Sequence, residues 1–79
     1  MGLLTSRPKK EKDRLRVFGL RIQKLRKEQN ISQERLGYLV GYSRAHMGFI
    51  EQGKISVPLV RIFKIADILK VSIRDLFEF

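Results

Sequence analysis

The stretch SQERLGYLVGYSRAHMGFIEQG, residues 32–53, reads as two helices of barely two turns joined by one tight turn. Ser32 can cap the first, whose inner face is Leu36, Leu39 and Val40 and whose stop is Gly41. Ser43 can cap the second, with Met47 and Ile50 inward and Gly53 at its end. Helices this short are marginal in water, so packing against each other and against a neighbour must hold them. That requirement explains a glycine inside a helix. Gly37 sits one turn before Gly41, where a missing side chain lets the next helix cross closely, and Gly41 permits the φ > 0 turn that re-aims the chain. As a neutral surface residue, Gly37 would cost its helix about 1 kcal/mol with no return.

On a wheel of the second run, at ~100° per residue, Ala45 and Gln52 lie opposite Met47 and Ile50, and Arg44, Gly48 and Phe49 fall on the flanks. A helix buried on both sides would not carry Arg and Gln there, and a fully solvated one would not carry Phe and Ala. The mixture suits a surface that meets base edges: Arg can bond guanine O6 and N7 together, Ala and Phe can touch a thymine methyl, and small residues allow close approach.

Upstream, Leu15, Phe18, Ile22 and Leu25 recur at spacings of three and four, which predicts an amphipathic helix from about Asp13 to Gln29, closed by Asn30. Residues 1–12, MGLLTSRPKKEK, combine Pro8 with a dense charge run and no apolar period, and predict a flexible basic arm ahead of a domain spanning 13–79. Downstream, Pro58 suits the first turn of a fourth helix ending near Leu69, with Leu59, Ile62, Phe63, Ile65, Ala66 and Leu69 as its core stripe. Ser72 can cap a fifth helix containing Ile73, Leu76 and Phe77. No segment alternates with period two for long enough to suggest a strand. The expected fold is one all-α domain of five short helices.

A single core in a chain of 79 residues supplies only about 3–5 kcal/mol unless something reinforces it. Cysteine is absent and His46 is the one histidine, so neither a disulfide framework nor a Cys/His zinc site can be built; no cofactor or metal is expected, and oligomerisation is the expected support. The net charge of +9 is lopsided: residues 1–27 hold 10 Lys/Arg against 2 acids, residues 28–79 hold 7 against 6. A polyanionic partner follows, nucleic acid first, with a solubilising tail and an anionic membrane surface as competing readings of the basic end. No apolar run approaches the ~18 residues of a membrane span and the N-terminus lacks a secretory signal, so the chain reads as cytoplasmic and nucleoid-associated. MGLLTS fits the loose myristoylation pattern, which short stretches often match by chance. With no cysteine nucleophile, no phosphate-cradling glycine loop, and no carboxylate near His46 at helical spacing except through Glu51, the chain is not expected to be an enzyme.

The co-occurrence of Gln33, Gly37, Gly41, Ile50, Glu51, Gly53, Ile65 and Ala66 resembles the Xre or phage-repressor-like helix-turn-helix regulators. The resemblance covers about residues 18–77, through FGLRIQKLRKEQNISQERLGYLVGYSRAHMGFIEQG and VPLVRIFKIADILKVSIRDLF. It implies a compact lambda-repressor-like domain that binds double-stranded DNA and regulates transcription. It further implies that Gln33 binds a DNA phosphate, that Ser43, Arg44, Ala45 and Phe49 occupy base-facing positions, and that Arg26 and Glu51 form an ion pair tying helix one to the end of helix three. Arg35, His46 and Lys54 are further expected phosphate contacts. An isolated surface pair is worth about 0–1 kcal/mol, so Arg26 and Glu51 would serve position rather than binding.

Four residues depart from the family pattern. Arg35 stands where an acid is usual and opposes the helix dipole, which a nearby phosphate would explain. Gly37 replaces the commoner alanine, and Tyr42 a small apolar residue. Phe49 is either a thymine-methyl contact or a packing residue against Tyr42. His46, at the wheel's boundary, is either a partly buried turn residue or a phosphate donor.

Val60 and Ile68 lie beyond the stripe of helix four, and Phe79 is a terminal aromatic with little chain to cover it. This surplus predicts a homodimer through helices four and five, which the resemblance also implies. Two recognition helices would then meet half-sites about 34–36 Å apart on a palindromic operator. Small regulators of this kind include restriction-modification controllers and phage or plasmid repressors; a bare DNA-binding domain favours the controller. The alternative is an antitoxin-type interaction module whose basic arm binds a toxin, and RNA polymerase is a further partner open to a regulator.

Overall fold

Three serines open helices in the same way. Ser32, Ser43 and Ser72 have extended backbones, and each hydroxyl oxygen accepts the N–H three residues on, from Arg35, His46 and Asp75, at 3.0 Å. They start α2 (Gln33–Val40), α3 (Arg44–Glu51) and α5 (Ile73–Leu76). α1 spans Leu3–Glu28 and α4 spans Leu59–Leu69. The computed structural model describes the backbone of residues 3–79 and the side chains of residues 10–79, and the described residues contain no strand.

α1 begins at Leu3, well before the apolar period does. That period marks where a helix packs, whereas the Lys and Glu of residues 9–12 ahead of it are good helix formers in their own right; α1 also runs through Pro8, which helix propensity does not explain. Residues 1–2, and the side chains up to residue 9, lie outside the described residues; the rest of the expected arm continues α1.

The core joins Phe18, Ile22 and Leu25 of α1 to Leu36 and Val40 of α2, Met47 and Ile50 of α3, Ile65, Ala66 and Leu69 of α4, and Leu76 of α5. α2 packs on α3 at close range because of Gly37, where a Cβ would lie 2.8 Å from Met47 Cγ and 2.9 Å from the Tyr42 carbonyl oxygen. Gly41 ends α2 at φ 97°, and its N–H donates to the Gly37 carbonyl at 2.8 Å. Asn30 takes φ 57°, as its tolerance of the left-handed region predicts.

One expected face is corrected. Leu59 and Phe63, read as core, are 63% and 48% exposed, and Val60 beside them is 70% exposed. α4 is so rich in apolar residues that its period fits more than one face. The buried side is Ile65, Ala66 and Leu69, with Ile62 and Ile68 half-buried against it.

Candidate nucleic-acid interface

α3 is held from behind by charge as well as by Met47 and Ile50. Glu51 at its end is 3% exposed. Its carboxylate accepts Arg26 Nε at 2.7 Å and Nη2 at 3.0 Å, while Arg26 Nη1 donates to the Ile31 carbonyl at 2.9 Å. Two amides complete the cluster: Gln33 Nε2 at 3.1 Å and Gln23 Nε2 at 3.4 Å from Glu51 Oε1. The pair is buried rather than superficial, so the small value expected of a surface bridge does not apply. A desolvated pair with its lone pairs satisfied is weak evidence for net stability, but removing one partner strands a buried charge.

The outer side of α3 is open. Arg44 and Ala45 are exposed, and Phe49, one turn beyond Ala45, is 45% exposed. The Ser43 hydroxyl oxygen is occupied in capping, which leaves its O–H free to donate. No acid stands in the first turn of α3, so the positive end of its dipole is unopposed toward anything docking there.

Tyr42 stacks on His46, with ring centroids 4.0 Å apart and planes 15° from parallel, and the Arg61 guanidinium lies 5.6 Å from the Tyr42 ring. Tyr42 thus takes His46 as its aromatic partner, and Phe49 is left at the surface with Lys54 Nζ 5.9 Å from its ring. His46 is half-buried by this stack. Arg35 is exposed but has a neighbour within the protein, the face of Tyr38 at 5.8 Å. Gln33 lies half-buried across Gly48, anchored through one amide hydrogen to Glu51, and its second amide hydrogen remains to donate. Arg44, Ala45 and Phe49 therefore lie along one short helix that Ser43 caps, with Gln33 beside it and Lys54 in the turn beyond its far end.

Two contributors escape a reading of the sequence. Arg61 Nη1 donates to the Val40 carbonyl at 3.0 Å, closing the C-terminal end of α2 from α4. The signal was there, since α2 has no basic residue in its own last turn to meet its orphan carbonyls. Gln23 offers no such signal: its contact with Glu51 spans 28 residues.

Two capped helices turned against each other through a left-handed glycine, the second pinned behind and open in front, make a helix-turn-helix. Residues 22–76 match the family model described as Helix-turn-helix, and the chain belongs to this family of DNA-binding transcriptional regulators. It is 38% identical over 62 residues to the control protein C.MunI of Mycoplasma sp, covering 77% of this chain and 84% of that one. It is 34% identical over 64 residues to the control protein C.BamHI of Bacillus amyloliquefaciens, covering 80% and 79%. The crystal structure of the restriction-modification controller protein C.AhdI from Aeromonas hydrophila superposes with a TM-score of 0.78 at 39% identity, over 84% of this chain and 96% of that one. Among the described residues no helix is long and apolar enough to cross a membrane.

Proposed function

We propose that this protein is a sequence-specific regulator that binds a palindromic operator as a homodimer, in the manner of a restriction-modification controller. The observation that carries the reading is the two-sidedness of α3: a buried ionic anchor at Glu51 behind, and exposed Arg44, Ala45 and Phe49 in front. Arg44 pairs with a base edge, Ala45 and Phe49 meet thymine methyls, and Ser43 donates its remaining hydrogen. Gln33, Arg35, His46 and Lys54 contact phosphates and set the register of the helix in the groove. The likeness to control proteins supports the controller role.

Self-association is supported by the apolar surface that α4 and the C-terminus leave uncovered. Val60 and Phe79 are strongly exposed and are joined by Leu59 and Phe63; Ile68, half-buried against the core, offers a partner less. On this reading, protein concentration sets the response through dimerisation and cooperative operator binding.

Arg44→Ala separates base reading from positioning. Measured over single-base variants of the preferred operator, the substitution is expected to cost about 1–3 kcal/mol per half-site and to relax discrimination at one base position. A uniform loss across all variants, with the preference profile intact, would make Arg44 a phosphate contact.

A further inference from the structure

α1 continues past the body of the domain, and where it leaves it lies against the turn that follows α3. The contact is a backbone one: Gly53 sits at φ 74°, and a Cβ there would overlap the backbone of Arg16. This fixes a cleft lined by Lys12, Asp13, Leu15 and Arg16 from α1 and by Gln52, Gly53 and Lys54 from the turn. Three cations face one carboxylate. Asp13 lies 3.8 Å from Arg16 Nη2, with both side chains more than half exposed, so this bridge is weak and leaves the cleft positive.

The cleft is continuous with the outer face of α3 through Lys54, whose Nζ stands 5.9 Å from the Phe49 ring. A recognition helix of this motif contacts base edges with its N-terminal residues, which leaves the C-terminal end of α3 and the turn that carries Lys54 to the flanking phosphates.

We propose that this cleft is a second phosphate-binding surface, in which Lys12, Arg16 and Lys54 follow the DNA backbone beyond the end of the recognition helix. The inference rests on the DNA-binding reading above and extends it: the helix-turn-helix supplies register, and the overhanging part of α1 supplies sequence-independent affinity. It also gives the charge imbalance between residues 1–27 and 28–79 a use.

Sequence-independent binding is electrostatic, so the test needs no operator. The full-length chain is titrated by fluorescence anisotropy against a labelled mixed-sequence duplex of about 30 base pairs, between about 50 and 200 mM KCl. The K12A/R16A variant is compared with K64A/R74A, which removes the same charge from exposed positions on α4 and α5. For K12A/R16A the slope of log K against log salt is expected to become shallower by about 0.9 per lost contact, about 1.8 for both, on each bound chain. The K64A/R74A slope should stay at the wild-type value. If circular dichroism shows K12A/R16A to be unfolded, K12A alone should give half the change. A wild-type slope in the cleft variant, or equal flattening in K64A/R74A, overturns the cleft and leaves the DNA-binding reading standing. Failure of the wild-type chain to bind the duplex at the lowest salt overturns both.

Discussion

Arg26→Ala is expected to leave most of the protein unfolded at 25 °C. The guanidinium holds four things together: α1, the Ile31 carbonyl in the loop before α2, the end of α3, and, through Glu51, the Gln33 amide. Without it Glu51, 3% exposed, keeps a buried charge with only two amide donors, one of them at 3.4 Å. Breaking a buried pair in this way costs about 3–5 kcal/mol, and a single core in a chain this small supplies only about 3–5 kcal/mol in all. The sign of the effect depends on what is left behind. Arg26→Met combined with Glu51→Leu removes both charges and should recover part of the loss, though not all, because Gln33, Gln23 and the Ile31 carbonyl lose their partners. Urea unfolding followed by circular dichroism measures both. A loss below about 1 kcal/mol for Arg26→Ala, the range of an exposed pair, would contradict the structural role assigned to the cluster.

Gly19→Ala is expected to be the other severe substitution, because Gly19 lies inside α1 where that helix meets the end of α3. Helix interiors ordinarily gain about 1 kcal/mol from glycine to alanine. Here the added Cβ would overlap the carbonyl oxygens of Ile50 and Glu51, and backbone at the end of a helix cannot swing aside as a side chain does. α1 would have to lift off α3, stretching the Arg26–Glu51 bonds at the same time. The expected net loss lies at or above the top of the about 1–3 kcal/mol range for overpacking. Gly48→Ala is the internal contrast, because its Cβ would meet only the Gln33 amide, at 3.6–3.9 Å, an ordinary contact. That variant should melt above the wild type and Gly19→Ala far below it. Equal melting temperatures for the two would show that the α1–α3 approach is looser than described.

These two residues show where sequence reading succeeds and where it stops. Local chemistry was legible: Ser32, Ser43 and Ser72 cap as their side chains allow, and Asn30 and Gly41 turn left-handed where helices must end. The wheel of α3 separated Met47 and Ile50 from Arg44 and Ala45, because one period suffices when a helix has a single apolar stripe. It failed on α4, whose apolar residues surround it, so Leu59 and Phe63 were assigned to the core although they stand at the surface. It also misplaced the start of α1, since the period registers packing and not helicity. Tertiary contacts were beyond it: the Tyr42–His46 stack, the Arg61 cap on Val40 and the need for glycine at position 19 depend on which element passes which.

If two copies of α3 read DNA sequence as a pair, selection from a random pool will recover a two-fold symmetric site. Duplexes carrying a randomised stretch of about 30 base pairs are incubated with the full-length chain at about 150 mM salt, where sequence-independent binding is weak, and bound molecules are amplified and sequenced. The expected result is one enriched motif with two-fold symmetry, its half-sites centred a helical turn or a small multiple of it apart, about 34–36 Å per turn. Recovery of no enriched motif, with binding that depends only on duplex length and salt, would contradict it.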